Sequence, residues 1–236
     1  LVIAGCDVEQ PKVYPFSYRG SIMGTSFSIK ASHLPEDKTV KQVQLLVKMR
    51  LDAINQGMST YIAESELSKL NRNKSIQAQA ISPELFKVLQ AAEEVSLLSK
   101  GAFDITVAPL VNLWGFGPDI MLYQAPDPKA VTDLLAQTGY QKLSLKTEQK
   151  TVQKQVPALS MDLSALAKGY AVDEAALVLE QQGMHDYLVE IGGEIRLKGL
   201  NLQGNKWRIA IEKPNIHQRE LQKVLPITDI AMATSG

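Results

Sequence analysis

The stretch MDLSALAKGYAVDEAALVLEQQGM, residues 161 to 184, constrains the fold more than any other. It begins like a strand and turns abruptly into a helix. At the junction sit Asp162, Lys168 and Gly169 among small side chains. A helix N-terminus leaves about four backbone N–H groups without internal partners and carries roughly half a positive charge. Here those amides belong to residues near Ala165 to Lys168, where phosphate oxygens can approach closely. Lys168 adds a full cation. Asp162 would repel a phosphate unless a donor or a divalent cation intervenes, and Mg²⁺ is the natural ion between protein and diphosphate oxygens. The junction therefore points to a nucleotide diphosphate with a metal. The plainer alternative is a capped helix, with Ser164 as N-cap, Asp162 aiding the dipole and Lys168 solvated. These residues alone leave both open.

The surrounding chain reads as one mixed domain. SYRGSIMGTSFSIKAS alternates as a strand pair or a strand bent near Gly20 and Gly24. Val40, Val43, Val47, Leu51 and Ile54 recur at helical steps from Thr39, with Gly57 breaking the helix. A short helix spans about Ser65 to Leu70. Ser82 before Pro83 starts another, with Leu85, Val88, Leu89, Ala92 and Val95 on one face and Gly101 at its end. Asp127-Pro128 repeats the device, burying Val131, Leu134 and Leu135 and stopping at Gly139. KLSLKTEQKTVQKQ reads as a polar hairpin and PALSMDL as a strand. The helix over 165–182 is capped by Gly183. DYLVEIGGEIRLKG and KWRIAIEKP are strands, with Gly192-Gly193 marking a bulge or a close backbone approach. The irregular alternation predicts an α+β fold, largely antiparallel sheets packed with helices.

Two further clusters carry candidate chemistry. GAFDITVAPLVNLWGFGP, residues 101 to 118, gathers Phe103, Trp114 and Phe116 around Asp104. A planar ligand stacked on aromatics, with the carboxylate reading its donors, explains the set. A core corner with one hydrogen-bonded acid explains it too. Met23, Gly24 and Tyr61 lie near turns and by themselves read as packing. Lys+Arg and Asp+Glu both number 25, so no strong field for nucleic acid is expected. His33, His185 and His217 are scattered without zinc spacing, and no G-x-x-x-x-G-K-[ST] or G-x-S-x-G motif occurs.

Cys6 is the single cysteine. LVIAGC resembles the end of a bacterial lipoprotein signal, in which the cysteine is lipidated. A buried cysteine on an N-terminal strand is the alternative. On the lipoprotein reading, residues 1–5 are a signal remnant, 6–16 a tether and 17–236 the domain. The chain is then held at the periplasmic face of the inner membrane.

MGTSF, STY before an acidic short helix, GAFDITVAPLVNLWGFGP, DLSALAKGYAVD, YLVEIGGEIRLKG, WRIAIEKP and ATSG occur in this order. The ordered set resembles the bacterial FAD:protein FMN transferases, the ApbE family. The resemblance implies a Mg²⁺-using enzyme that moves FMN from FAD onto a Ser or Thr hydroxyl of an acceptor protein, such as a membrane-bound electron-transport subunit, and releases AMP. It implies FAD contacts at Met23, Tyr61, Ala102, Phe103, Asp104, Asp162 and Lys168, and a metal contact through the Ala165 carbonyl. Family members continue past the TSG segment. That continuation carries a histidine near an IDP motif and the Asp and Thr metal ligands, so the resemblance assigns no catalytic base within this chain. Two rivals accompany this reading: a metal-dependent FAD pyrophosphatase, and a flavin-binding lipoprotein without chemistry.

Overall fold

The computed structural model describes residues 16–118, 125–213 and 220–234. Cys6, His217 and the Ser-Gly end of ATSG lie outside them. The chain opens with β1 (Phe16–Ile22) and β2 (Thr25–Ala31), an antiparallel pair joined by Met23-Gly24. Phe16, expected in the tether, is the first residue of β1 and is buried. Then come α1 (Val40–Met58), α2 (Glu66–Arg72), the short β3 (Gln79–Ala80) and α3 (Pro83–Leu98). α4 (Ala108–Leu113) and α5 (Pro128–Leu135) precede the hairpin of β4 (Leu143–Lys146) and β5 (Thr151–Lys154). α6 (Ser164–Gln181) leads to β6 (Tyr187–Ile191) and β7 (Glu194–Lys198). β8 (Trp207–Glu212), β9 (Leu221–Ile227) and β10 (Ile230–Met232) follow.

The main sheet has the order β1-β2-β6-β7-β10, every pair antiparallel. Its register follows the period of two. Phe27, Ile29 and Ala31 on β2 and Tyr187, Val189 and Ile191 on β6 are all buried on one face. That face is covered by α1 and α6. α1 contributes Val43, Val47, Leu51, Ile54 and Met58 at helical spacing. α6 contributes Ala167, Ala171, Ala175 and Ala176 beside Val172 and Leu179. These small side chains let α6 lie close to α1 and the sheet. The opposite face carries a smaller core of Leu197, Trp207 and Ile209, roofed by the β8–β9 ribbon.

Several local signals act as expected. Thr39 caps α1 in a reciprocal capping box with Gln42. Ser65, Ser82 and Asp127 accept N-cap hydrogen bonds, the last two before a first-turn proline. Gly183, at φ +79, follows α6. Other expectations are corrected. Gly57 does not break α1, which continues to Met58 and is capped by Ser59. On α3, Val95 is exposed and Ser96 is buried in its place. α5 buries none of its residues, and Leu135 is exposed. The hairpin is not uniformly polar: Val152 and Lys154 are both fully buried. Lys154 Nζ donates to the carbonyls of Leu70 (3.1 Å) and Asn73 at the end of α2, where a cation complements the helix dipole. PALSMDL forms no sheet strand. It is an extended segment with a single parallel bridge, Ser160 to Val107.

Arg50 of α1 ties three helices together. Its guanidinium donates to Glu174 of α6 (2.8 and 3.0 Å), to Glu84 of α3 and to the Tyr170 hydroxyl (3.2 Å). Burial opposes the charged form of Glu174, but hydrogen bonds and charge from Arg50, and then from Lys87, outweigh it. The carboxyl is held below its ordinary value of 4.5. A carboxyl with a depressed folded pKa contributes stability above its unfolded pKa, and loses it as pH falls through the folded value. Denaturant midpoints measured between about pH 6 and about pH 3 should therefore fall on the acid side, and Glu174→Gln should flatten part of that fall. At neutral pH the same substitution should cost about 1–3 kcal/mol, because Arg50 loses the more buried of its two carboxylate partners.

Candidate functional site

A pocket of about 550 Å³ opens where the β1–β2 turn, the end of α1, the loop after it and the first turn of α6 converge. The turn supplies Met23 and Gly24, at φ +51 and +72. Two left-handed residues make the turn that suits a two-residue hairpin, but methionine pays a steric cost there that glycine does not. Met23 is thereby held at the pocket wall. α1 supplies Asn55 and Met58, the loop supplies Ser59 to Ile62, and α6 supplies Ser164, Ala167 and Lys168.

The loop after α1 is fastened by its serines. The Ser59 carbonyl accepts from the Ser65 and Ser68 hydroxyls, and the Tyr61 amide donates to Ser59 Oγ at 3.1 Å. Tyr61 is 67% exposed, so its ring is free to meet a ligand. Its hydroxyl donates to the Phe116 carbonyl at 3.2 Å. Phe116 thus stands beside Tyr61, and both it and Trp114 are exposed rather than in the core.

The 101–118 cluster approaches α6 through its backbone. The Asp162 amide donates to the Ile105 carbonyl at 2.7 Å, beside the Val107–Ser160 bridge. Asn71 holds Met161 by both backbone groups, at 2.8 and 2.9 Å. Asp104 itself is engaged within the fold. Its Oδ1 accepts from the Thr106 amide and hydroxyl, both at 2.7 Å, and its Oδ2 from the Tyr140 amide at 2.8 Å. Phe103 packs against the main core, and Ala102 is exposed. None of these three lines the pocket.

At the junction, Asp162 Oδ1 accepts from the Ser164 amide at 2.6 Å. Asp162 therefore serves the first helical amide, while Leu163 stands at the N-cap without a side-chain bond. This corrects the reading of Ser164 as the cap. Ser164 and Ala165 are exposed, but the amides expected to be free are partly engaged: that of Ser164 by Asp162, and those of Leu166 and Ala167 by the Leu163 carbonyl at 2.9 and 2.8 Å. Ala165 lies in the first turn, where a carbonyl points toward the amide four residues on. Among the described residues no group of three or more His, Cys, Asp or Glu side chains is placed to hold a metal. These residues by themselves do not fit the near-octahedral oxygen shell of Mg²⁺.

Lys168 is not simply solvated. It pairs with Glu194 at 3.1 Å and donates to the Gly192 carbonyl at 3.3 Å. Gly192 and Gly193 form the two-residue β6–β7 turn at φ +57 and +93, not a bulge. The expected close approach is present. A Cβ on Gly192 would lie 2.7 Å from Thr25 Cγ2, and one on Gly193 would lie 2.5 Å from Thr234 Oγ1. Of the residues singled out in the sequence, the pocket gathers Met23, Gly24, Tyr61, Ser164 and Lys168. Asn55, Met58 and Glu194 went unnoticed. An amide beside the apolar stripe of α1, and an acid directly after Gly-Gly, were the available signals.

Comparison with known proteins gives this arrangement its relatives. The ApbE family matches residues 23–236. A Vibrio cholerae protein named FAD:protein FMN transferase is 42% identical over the whole of this chain, which spans 69% of that protein. The protein of that name from Escherichia coli strain K12 is 35% identical over the same shares. The solved flavin transferase ApbE from Vibrio cholerae superposes with a TM-score of 0.89 at 40% identity, covering 95% of this chain and 72% of the other. The apo form of Pseudomonas stutzeri flavinyl transferase ApbE gives 0.81 at 32%, covering 94% and 70%. The chain belongs to the ApbE family, and its α+β fold is that of these flavin transferases.

The bonds of Asp104 lead to a prediction about stability. Asp104→Ala should cost about 2–3 kcal/mol, since two partly buried amides and a hydroxyl lose a charged acceptor. Chemical denaturation measures it. The FAD affinity of the folded fraction should fall less than it does on loss of Lys168.

Proposed function

We propose that this chain carries the flavin-nucleotide site of a FAD:protein FMN transferase. The observation that carries the reading is the pocket lined both by Lys168 with the exposed start of α6 and by the exposed Tyr61. One end suits a diphosphate and the other a planar ring, which together describe FAD. Family membership supports the same assignment. In the reaction, an acceptor hydroxyl oxygen attacks the phosphorus on the flavin side of the diphosphate. The P–O bond to the AMP phosphate breaks, AMP leaves with that oxygen, and the hydroxyl proton is released.

This chain's residues act by positioning and by charge. Lys168, with the positive end of the α6 dipole near Ala165, neutralises phosphate oxygens. Tyr61 and Met23 bound the ring. Asp162 fixes the helix start, while Phe103, Ala102 and Asp104 shape the adjoining loop from outside the pocket. Mg²⁺ use belongs to the proposal because a diphosphate being cleaved gathers negative charge. Only the Ala165 carbonyl is offered here as a ligand, and no step is assigned to the ion. The acceptor is a protein presenting Ser or Thr, of the membrane-bound electron-transport class, and Cys6 anchors the domain beside it at the periplasmic face.

Intact-mass measurement of such an acceptor after incubation with FAD, Mg²⁺ and the full-length protein should show the added mass of one FMN, with AMP released. AMP with free FMN and no acceptor adduct would favour the pyrophosphatase. Bound, unreacted FAD would favour a flavin carrier. Asp162→Asn should lower FAD turnover by roughly ten- to a hundredfold, the range for weakening a charged contact. For location, Cys6→Ser in the full precursor should move the protein from the membrane to the soluble fraction, and unchanged partition would refute the anchor.

A further inference from the structure

The β6–β7 turn reaches the pocket through the pair of Lys168 and Glu194. The Glu194 side chain is 15% exposed and that of Lys168 33%. The second Glu194 oxygen accepts from the Thr234 amide at 3.3 Å, and the Thr234 hydroxyl donates to the Gly193 carbonyl at 3.2 Å. Along its stem, Lys168 runs against the turn: a Cβ on Gly192 would sit 3.2 Å from Lys168 Cδ. Lysine's flexible stem normally loses rotamer freedom when its ammonium meets an anion. Here the fold has already ordered it. An ammonium has three N–H donors. Among the described residues two are engaged, by Glu194 and the Gly192 carbonyl, and Lys168 still lines the pocket.

We propose that Glu194 is a positioning residue for the diphosphate of the ligand. It holds the Lys168 ammonium at the pocket wall and joins that wall to the segment after β10 through Thr234. The inference rests on the FAD reading above. The carboxylate's own charge opposes an anion, so the proposal requires that orientation of Lys168 outweigh that repulsion. The two effects have opposite signs, which makes the question decidable.

The test is FAD titration, followed by flavin fluorescence, on full-length wild type, Glu194→Gln, Lys168→Met and the double variant. Glutamine keeps the size of Glu194 and an acceptor for the Thr234 amide, but not the charge. Glu194→Gln should weaken FAD binding about tenfold, the range for one charge-assisted hydrogen bond, with the melting temperature little changed. In the Lys168→Met background the same substitution should change affinity by less than about twofold, since nothing is left to orient. In turnover, the KM for FAD should rise while kcat at saturation stays within about twofold. Equal weakening in both backgrounds would make Glu194 a general structural residue and overturn the proposal. Tighter FAD binding in Glu194→Gln would also overturn it, by showing that repulsion dominates. Wild-type protein that fails to bind FAD would overturn the functional reading itself, and this inference with it.

Discussion

The packing of α6 against α1 and the sheet governs everything at the site. Ala167, Ala171, Ala175 and Ala176 present almost no side-chain bulk, so the helix approaches closely enough for Leu179 and Val172 to become fully buried. Interiors at crystal-like density tolerate little added volume, and a larger residue on this stripe would push the helix outward. The first turn of α6 would move with it. Ser164 and Lys168 stand where they do because the alanines below them let the helix settle.

Around that helix start, acids are used chiefly to hold main chain. Asp162 takes the Ser164 amide, Asp104 those of Thr106 and Tyr140, Glu190 that of Gly193, and Glu194 that of Thr234. Each fixes a loop or a helix end that would otherwise have several conformations. The rim is thus stiffened by carboxylates without becoming a metal cluster of side chains. Among the described residues Lys168 is the cation that lines the pocket, and its placement depends on one of those same carboxylates.

Much of this was legible in the sequence because the signals were local. The Thr39, Ser82 and Asp127 caps, the stripe on α1 and the glycine after α6 each report on their own few residues. The ordered motifs led to the family and hence to FAD. What could not be read depended on partners distant in sequence. Leu135 and Val95 have the right spacing for burial, yet among the described residues no element covers them. PALSMDL has strand composition, but it is held by Asn71 and Ile105 instead of a neighbouring strand. Lys154 looks like a surface charge until the end of α2 is placed against it. Glu194 acquires meaning only when Lys168 arrives from another element.

The pocket's walls come from the β1–β2 turn, the end of α1 and the start of α6, the last far along the chain from the other two. The strand pairing that joins them sets Phe27 opposite Ile191. Closing so long a loop is slow, and no fragment of the chain presents the cavity before it closes. Occupancy therefore reports on the whole fold. Any molecule that fits only the closed form draws the unfolded population toward it, adding about 2.7 kcal/mol when present at a hundred times its dissociation constant. Nucleotide supply would then set how long a newly made chain survives, as well as how fast it works.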